Sequence, residues 1–264
     1  MKIIVCVKQV PDTTDVKLDP VTGTLLREGI PSIINPDDKA GIEAALRIKD
    51  ENPGTTVTIL SMGPPQADVA LREALAMGAD AAILLTDRQF GGSDTWATSS
   101  IIAAALKKMD YDLIIAGRQA IDGDTAQVGP QIAEHLGIPQ VSYVSGLEVK
   151  GDSLVVRRSF EDGYHMIEIK MPCLITTLAE LNDPRYMTVG RVFDAYREIE
   201  VTKWGYDEIA DTVDPANMGL KGSPTKVKKS FTKPVKGQGE VHEVSADEAV
   251  EIIMRKLREK NILR

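Results

Sequence analysis

The fold of this chain can be inferred from the stretch Tyr111-Asp-Leu-Ile-Ile-Ala-Gly-Arg-Gln-Ala-Ile-Asp-Gly-Asp-Thr-Ala-Gln-Val-Gly-Pro-Gln-Ile-Ala-Glu-His-Leu-Gly137, which predicts a strand followed by a helix. Residues 111–116 form a short apolar run that is long enough for one buried strand. The end of the stretch has a helical pattern, with Ile132 and Leu136 on one face. Because a strand that leads directly into a helix is the unit of open parallel sheets, the stretch predicts an α/β fold.

The turn between this strand and this helix is suited to binding an anion. Gly117, Gly123 and Gly129 allow a tight backbone and a close approach to a ligand, and the helix N-terminus offers unpaired N–H groups. In open parallel sheets, ligands bind beyond the carboxyl ends of the strands. The turn also contains the polar side chains of Asp122, Asp124, Thr125 and Gln127.

The same alternation of strand and helix occurs upstream. Apolar runs predict buried strands at residues 2–7, 56–60 and 81–85. Three helical patterns alternate with these strands. The first begins at residues 34–38, the second ends at Gly78, and the third runs from a cap at Ser93 or Asp94 to Met109. Residues 16–27 alternate around a turn and predict a small hairpin or an excursion over the edge of the sheet. The repetition predicts a doubly wound, Rossmann-like parallel sheet with right-handed crossovers.

The pattern changes beyond Gly137. Residues 153–160 and 164–170 flank an Asp-Gly turn, which predicts an antiparallel hairpin added to the sheet. Residues 174–177 then return to the sheet, and residues 181–189 form a loop before a short helix at about 190–196.

The last part of the chain predicts a linker followed by one amphipathic helix. Residues 219–239 are rich in Gly, Pro, Lys and Ser, as in extended linkers. Ser245 begins a capping box, and an apolar stripe follows at Val250, Ile253, Met254 and Leu257. This helix must dock either on its own domain or on another subunit. We therefore predict an α/β domain over residues 1–218, and a linker with a C-terminal helical arm over residues 219–264.

Composition and length exclude several classes of protein. The formal charge of −8 over 264 residues gives no positive field for nucleic acid. Cys6 and Cys173 are far apart and lie in apolar runs, so neither a disulfide nor a zinc site is predicted. The first residues are too short an apolar segment for a signal peptide, and no apolar run approaches the ~20 residues of a membrane span. These features predict a cytoplasmic protein.

No motif for side-chain catalysis is present. The strand at residues 2–7 is not followed by the Gly-x-Gly-x-x-Gly turn of nicotinamide dehydrogenases, and the chain has no Walker motif. The three histidines, His135, His165 and His242, have neither triad-like nor metal-like spacing. No catalytic side chain and no metal site are predicted.

Five blocks of sequence, in order, resemble the beta subunit of electron transfer flavoproteins. They are Val5-Cys-Val-Lys-Gln-Val-Pro11, Ile34-Asn-Pro-Asp-Asp38, Ala74-Leu-Ala-Met-Gly-Ala-Asp80, Gly117-Arg-Gln-Ala-Ile-Asp-x-Asp-x-x-Gln127 and Leu181-Asn-Asp-Pro-Arg-Tyr186. The resemblance implies that the chemistry belongs to a flavin and that the protein supplies orientation and electrostatics.

The resemblance also implies a set of nucleotide-binding residues. Ordinary members hold AMP in this subunit, whereas electron-bifurcating members hold a second FAD. Residues 10–14, 19–25 and 27–35 resemble the bifurcating group. The contacts implied are Cys6, Val10, Asn35, Pro36, Asp37, Asp38, Met62, Gly117, Arg118, Gln119, Ala120, Ile121, Asp122, Gly123, Asp124, Thr125, Ala126, Gln127 and Val128. Asp122 and Asp124 would bind ribose or close the loop on itself, and both alternatives stay open.

For the bifurcating group, the resemblance implies that FAD on this subunit accepts hydride from NADH. One electron then passes through FAD on an alpha subunit to a flavin dehydrogenase, such as an acyl-CoA dehydrogenase, and the other passes to ferredoxin or flavodoxin. The loop that docks on the dehydrogenase corresponds to Pro184, Arg185, Tyr186 and Val189, where the family favours Leu at position 189. The alternatives are a non-bifurcating electron carrier that binds AMP, and an adenine-nucleotide-binding protein without a redox role.

Overall fold

The computed structural model describes residues 1–12, 31–228 and 239–263. The hairpin predicted over residues 16–27 lies outside this part of the chain. The chain divides into two units, Met1–Lys228 and Lys229–Arg264, which we describe separately.

Nine strands among the described residues of the first unit form one sheet. Its strands are β1 (Lys2–Cys6), β4 (Thr56–Met62), β5 (Ala81–Leu85), β6 (Leu113–Gly117), β7 (Gln140–Lys150), β8 (Ser153–Phe160), β9 (Gly163–Lys170), β10 (Cys173–Thr177) and β11 (Val201–Trp204). They are ordered β11-β5-β4-β1-β6-β10-β7-β8-β9. The strands from β11 to β7 pair in parallel, whereas β7, β8 and β9 pair antiparallel. A separate antiparallel pair joins β2 (Gln9–Pro11) to β3 (Ser32–Ile34).

Helices cover both faces of the sheet. They are α1 (Pro36–Glu51), α2 (Asp68–Met77), α3 (Thr95–Leu106), α4 (Val128–Leu136), α5 (Val189–Arg197), and the short α6 (Tyr206–Ile209) and α7 (Gly219–Gly222). Ile3 and Val5 of β1 point into the core layer that contains apolar residues of α1 and α2. Ile4 and Cys6 point into the opposite layer, with residues of α3 and α4. The continuous apolar run is therefore a strand buried on both faces, as expected for a parallel sheet, and the predicted doubly wound α/β fold is confirmed.

The strand order places a topological switch point at β1. After β1 the chain builds β4 and β5 on one side of β1, and β6 then pairs with the other side. The loops that leave β1 and β6 thus diverge above neighbouring carboxyl ends. This is the position at which open α/β sheets bind ligands.

Some boundaries differ from the sequence-based expectations. The third helix ends at Leu106 instead of Met109, and the helix expected from about residue 190 begins at Val189, where Thr188 accepts a hydrogen bond from the Arg191 N–H. The linker expected from Gly219 is not extended at its start, because residues 219–222 form the turn α7. The side chains of Ser93 and Asp94 accept hydrogen bonds from the Gly219 and Thr225 N–H groups and hold this segment.

The described residues of the second unit contain one helix, α8 (Ala246–Glu259). It begins with the expected capping box, in which the Ser245 N–H donates to Glu248 Oε2 at 3.1 Å and the Glu248 N–H to Ser245 Oγ at 3.4 Å. None of its residues is buried, and Val250 and Ile253 are 58% and 56% exposed. Met254 and Leu257 of the same apolar stripe are half-buried. None of the helices described in either unit is long and apolar enough to cross a membrane.

Candidate functional site

A cavity of about 350 Å³ lies beyond the carboxyl ends of β1, β4 and β6. Of the residues expected to bind a nucleotide, those that line it are Cys6, Asp38, Met62, Gly117, Arg118, Gln119, Ala120, Gly123, Thr125, Ala126, Gln127 and Val128. The structure places Val10, Asn35, Pro36, Asp37, Ile121, Asp122 and Asp124 outside this lining. The expected residues therefore divide into a group that lines the cavity and a group that does not.

Asp38 forms part of the cavity wall and ties two strand ends together. Its Oδ2 accepts a hydrogen bond from the Lys8 N–H at 2.7 Å, and its Oδ1 accepts one from the Gly117 N–H at 3.0 Å. Asn35 Nδ2 donates a third at 3.1 Å. Burial raises the pKa of this carboxyl to about 7, although the three hydrogen bonds favour the ionised form. The carboxyl therefore fixes the ends of β1 and β6 relative to each other.

Asn35 and Asp37 hold the loops around the cavity from behind. Asn35 Nδ2 donates to the Gln119 carbonyl at 2.8 Å, and Asn35 Oδ1 accepts from the Ile121 N–H at 3.1 Å. Asp37 Oδ1 accepts from the Ala179 N–H at 2.9 Å. These side chains, at the start of α1, support the residues that line the cavity.

The loop after β6 ends at an uncapped helix. No side chain caps the N-terminus of α4, so its first N–H groups have no partner within the helix. Asp124 and Ala126 precede it in the left-handed region, with φ of 50° and 51°. This conformation is unfavourable for residues other than glycine and is found where a backbone is shaped for function. The loop and the helix N-terminus together present backbone donors beside the cavity.

Two glycines are required by close packing at this junction. A Cβ atom at Gly117 would lie 2.0 Å from Asp38 Oδ1, and one at Gly129 would lie 2.6 Å from Thr176 Cγ2. Neither position has room for a side chain. A Cβ at Gly123 would meet nothing within 4 Å.

Sequence reasoning missed several residues around the cavity. They are Val7, Lys8, Leu60, Ser93, Asp94, Thr95, Thr98, Ile102, Ala116 and Ile132. Lys8 Nζ pairs with Asp122 Oδ1 at 2.6 Å, and Thr95 Oγ1 donates to Gln127 Oε1 at 2.9 Å. The predicted helix start at Ser93 or Asp94 could have placed some of these residues at the cavity. In a parallel sheet, the helix that follows each strand begins at the carboxyl ends of the strands.

The two carboxylates of the loop are both engaged by neighbouring side chains. Besides the Lys8 pair of Asp122, Gln119 Nε2 donates to Asp124 Oδ1 at 2.9 Å. These contacts can close the loop on itself. Ribose binding by either carboxylate stays a prediction.

Cys6 contributes a thiol to the cavity wall but no nucleophile. Burial, and then the charge of Asp38, raise the pKa of the Cys6 thiol to about 12. A thiol with such a pKa stays protonated at neutral pH. Among the described residues, no group of histidine, cysteine and carboxylate side chains could hold a metal ion.

The residues expected to recognise a partner lie on another face. Val189 is 76% exposed and Tyr186 is 95% exposed, whereas Pro184 is half-buried. Arg185 instead binds within the chain, because its Nε lies 2.8 Å from Glu43 Oε2 and its Nη2 lies 2.8 Å from Asp50 Oδ2. Only part of the expected set is thus free to contact another protein.

Comparison with known proteins supports one family. Residues 22–208 match the model of the electron transfer flavoprotein domain. The chain is 62% identical to the electron transfer flavoprotein subunit beta of Clostridium acetobutylicum, with 100% of both chains covered. It is 55% identical to the caffeyl-CoA reductase-Etf complex subunit CarD of Acetobacterium woodii and 50% identical to the acryloyl-CoA reductase electron transfer subunit gamma of Anaerotignum propionicum, again over 100% of each chain. The chain belongs to the electron transfer flavoprotein family, and within it to the beta subunits.

Proposed function

We propose that this chain is the beta subunit of an electron-bifurcating flavoprotein and that it binds FAD in the cavity beyond β1, β4 and β6. The observation that carries the proposal is the position of the cavity at the switch point of the sheet, against the uncapped N-terminus of α4. Helix N-termini at such positions bind phosphate groups through backbone N–H donors and the helix dipole.

The residues around the cavity fit the adenosine phosphate half of FAD. A volume of about 350 Å³ is at the lower end of the range for small-molecule pockets, roughly 300–1,000 Å³. Leu60, Met62 and Ile102 would provide apolar surface for a base, and Lys8 and Arg118, which pair with Asp122 and Asp37, would lie beside the phosphates. In this proposal the N–H groups at the start of α4 bind phosphate, and Thr125 and Gln127 donate to or accept from the nucleotide. Val10 would lie beside the flavin half.

When bound, FAD would supply the redox chemistry, as a group that can take up hydride from NADH and release electrons one at a time. In the proposal, one electron passes through the alpha-subunit FAD to a dehydrogenase, and the other passes to ferredoxin or flavodoxin. The role of this chain is to bind and orient the cofactor and to exclude water from the apolar wall. Because NADH and small electron carriers are substrates in the cytoplasm, we propose that location.

The alternative within the family is a non-bifurcating carrier that holds AMP at the same site, since helix N–H groups do not distinguish AMP from the AMP half of FAD. An adenine-nucleotide-binding protein without a redox role would require no alpha subunit.

We predict that the heterodimer with an alpha subunit releases two FAD molecules when it is denatured. The measurement is chromatography of the released nucleotides, with their amount divided by the known amount of heterodimer. One FAD and one AMP would contradict bifurcation and leave the simple carrier. A chain that binds a nucleotide but forms no heterodimer would favour the third function.

The exposed residues at the start of α5 support docking of a flavin dehydrogenase. Tyr186, Met187, Val189 and Phe193 are all exposed apolar side chains in one short segment. Surface patches of this kind mark sites of protein interaction. Two relatives carry acyl-CoA reductase names, so we propose an acyl-CoA dehydrogenase as the partner that contacts Tyr186 and Val189.

We further propose that α8 is an arm that docks on the alpha subunit. Its apolar side chains would each contribute about 1.5–3 kcal/mol when fully buried. Deletion of the residues after Gly239 should therefore weaken the heterodimer at least about 100-fold while the first unit keeps its melting temperature. The measurement is the dissociation constant by titration with alpha subunit. The matched control is Glu251→Gln on the same helix, which should not change affinity. A truncated chain that still pairs with full affinity, or that unfolds, would contradict the arm.

A further inference from the structure

Arg185 was expected to recognise a partner, but its hydrogen bonds are made within the chain. Its Nε donates to Glu43 Oε2 at 2.8 Å and its Nη2 donates to Glu43 Oε1 at 3.1 Å. Its backbone N–H also donates to Glu43 Oε2, at 3.0 Å. Nη2 makes a further bond of 2.8 Å to Asp50 Oδ2. One carboxylate therefore holds both the guanidinium and the main chain of residue 185.

The burial of Glu43 is unusual for a glutamate, because the residue is only 3% exposed. Burial opposes ionisation of Glu43, but the hydrogen bonds from Arg185 and Arg47 outweigh it and lower the pKa of the carboxyl. The group is thus ionised at neutral pH. A buried carboxylate with a bidentate arginine is geometrically specific, and removal of one partner of such a pair is strongly unfavourable.

The helix that carries Glu43 is a rigid support. Ala40, Ile42, Ala44, Ala45 and Leu46 of α1 are buried. The loop from residue 179 to residue 185 is bound to α1 at two further points. The Ala179 N–H donates to Asp37 Oδ1 at 2.9 Å, and Asn182 Nδ2 donates to the Ala40 carbonyl at 3.3 Å. Glu43 makes the last of these ties before the exposed segment that begins at Tyr186.

We propose that Glu43 is a positioning residue for partner docking: it fixes Arg185 and so sets the orientation of the segment from Tyr186 to Val189. Glu43 itself is buried and lies outside the cavity lining, so it contacts neither partner nor nucleotide. The inference rests on the proposed docking of a dehydrogenase at this segment. It assigns Arg185 to the support of the docking surface instead of to the surface.

The first test measures the loop directly and needs no partner. In Glu43→Gln the side chain keeps its shape, but its NH₂ group faces a guanidinium donor, so one of the two parallel hydrogen bonds is lost. We expect hydrogen exchange at residues 183–188 of the heterodimer to become at least about tenfold faster, because the segment opens locally. Exchange at residues 117–128 should stay unchanged. Arg185→Lys, which cannot chelate a carboxylate in two places, should act in the same direction.

The second test measures docking. The probe is a short-chain acyl-CoA dehydrogenase, whose concentration is varied at saturating NADH, with an enoyl-CoA as the electron acceptor of the dehydrogenase and with ferredoxin or flavodoxin as the acceptor of the other electron. Glu43→Gln should raise the KM for the dehydrogenase about tenfold, since a mobile binding segment must be ordered on association, and leave kcat unchanged. Reduction of the flavin by NADH alone should also be unchanged.

Arg47→Gln is the matched control. Arg47 Nε donates to the same Glu43 Oε1 at 2.9 Å, but Arg47 lies on α1 and does not hold the loop. It should change neither exchange nor KM. Unaltered exchange or an unaltered KM in Glu43→Gln would overturn the positioning role alone, provided that the wild-type protein transfers electrons to the dehydrogenase. A wild-type protein that transfers none would overturn the proposed docking and, with it, this inference.

Discussion

Gly117→Ala should lower the affinity of the subunit for its adenine nucleotide by roughly 100-fold. The added methyl group would lie 2.0 Å from Asp38 Oδ1 and 2.9 Å from both Asp37 Cβ and the Asp38 nitrogen. Asp38 Oδ1 ends a side chain that three hydrogen bonds hold in place, and the other two atoms are a backbone nitrogen and a Cβ atom that cannot move away independently of the backbone. Overpacking at such a site costs about 3 kcal/mol, which corresponds to the stated loss if the cost falls on the ligand-binding conformation.

The expected mechanism is separation of β6 from the start of α1. The Gly117 N–H donates to the same Asp38 oxygen that the methyl group would overlap. The carboxyl would have to turn away and would leave both this N–H and the Lys8 N–H without their acceptor. Unpaired buried donors are unfavourable, so we also expect a lower melting temperature. The measurements are nucleotide retention after gel filtration and a thermal melt.

Gly123→Ala is the control for this substitution. It adds the same methyl group in the same loop, where a Cβ would meet nothing within 4 Å. The melting temperature should stay at the wild-type value. Equal effects of the two substitutions would mean that general loop flexibility, and not the contact between Gly117 and Asp38, shapes the site. Wild-type affinity in Gly117→Ala would show that the cavity is not the nucleotide site.

The sheet could be predicted because its strands are buried on both faces. In Leu113–Gly117 and Lys2–Cys6, nearly every side chain faces a helix layer, so the apolar runs are continuous and easily distinguished from helices. β7 and β11 were missed because they are not buried on both faces. Exposed and buried residues alternate irregularly in Gln140–Lys150, which contains a register shift between Val144 and Gly146. Only the tertiary pairing with β10 and β8 identifies it as a strand.

The residues that line the cavity were predicted where they are consecutive and missed where they come together through the fold. The loop from Gly117 to Val128 follows a strand and precedes a helix, which is a local signal. Thr95 and Thr98 reach the cavity from α3, and their position depends on where that helix lies. Arg185 was assigned to the surface because a sequence does not show that Glu43 lies opposite it. Long-range ion pairs of this kind require coordinates.

Helix α1 connects both proposed sites of the first unit. Its start, Asn35 to Asp38, holds the loops around the cavity, and its next turns hold the segment that leads to Val189. A buried helix that supports two sites explains why polar residues are found in it at nearly full burial. Asn35, Asp38 and Glu43 are all less than 7% exposed, and each makes hydrogen bonds to a loop.

Val189→Glu should prevent productive docking of the dehydrogenase without affecting the fold. Val189 is the first residue of α5 and is 76% exposed, so no core contact is lost. A carboxylate in the first turn interacts favourably with the helix dipole, and the melting temperature should not fall. At a buried interface anchor, however, an unpaired charge costs at least about 2 kcal/mol. The KM for the dehydrogenase should therefore rise about 30-fold or more.

Three comparisons make this test specific. Reduction of the flavin by NADH should proceed at the wild-type rate, because the cavity is formed by other residues. Val69→Glu places the same charge on another exposed valine in the first turn of a helix, α2, and should leave the KM unchanged. Val189→Leu should lower the KM, since a larger apolar side chain fills the same anchor site better. If Val189→Glu impairs flavin reduction as strongly as dehydrogenase turnover, Val189 supports the cofactor site and the docking surface lies elsewhere.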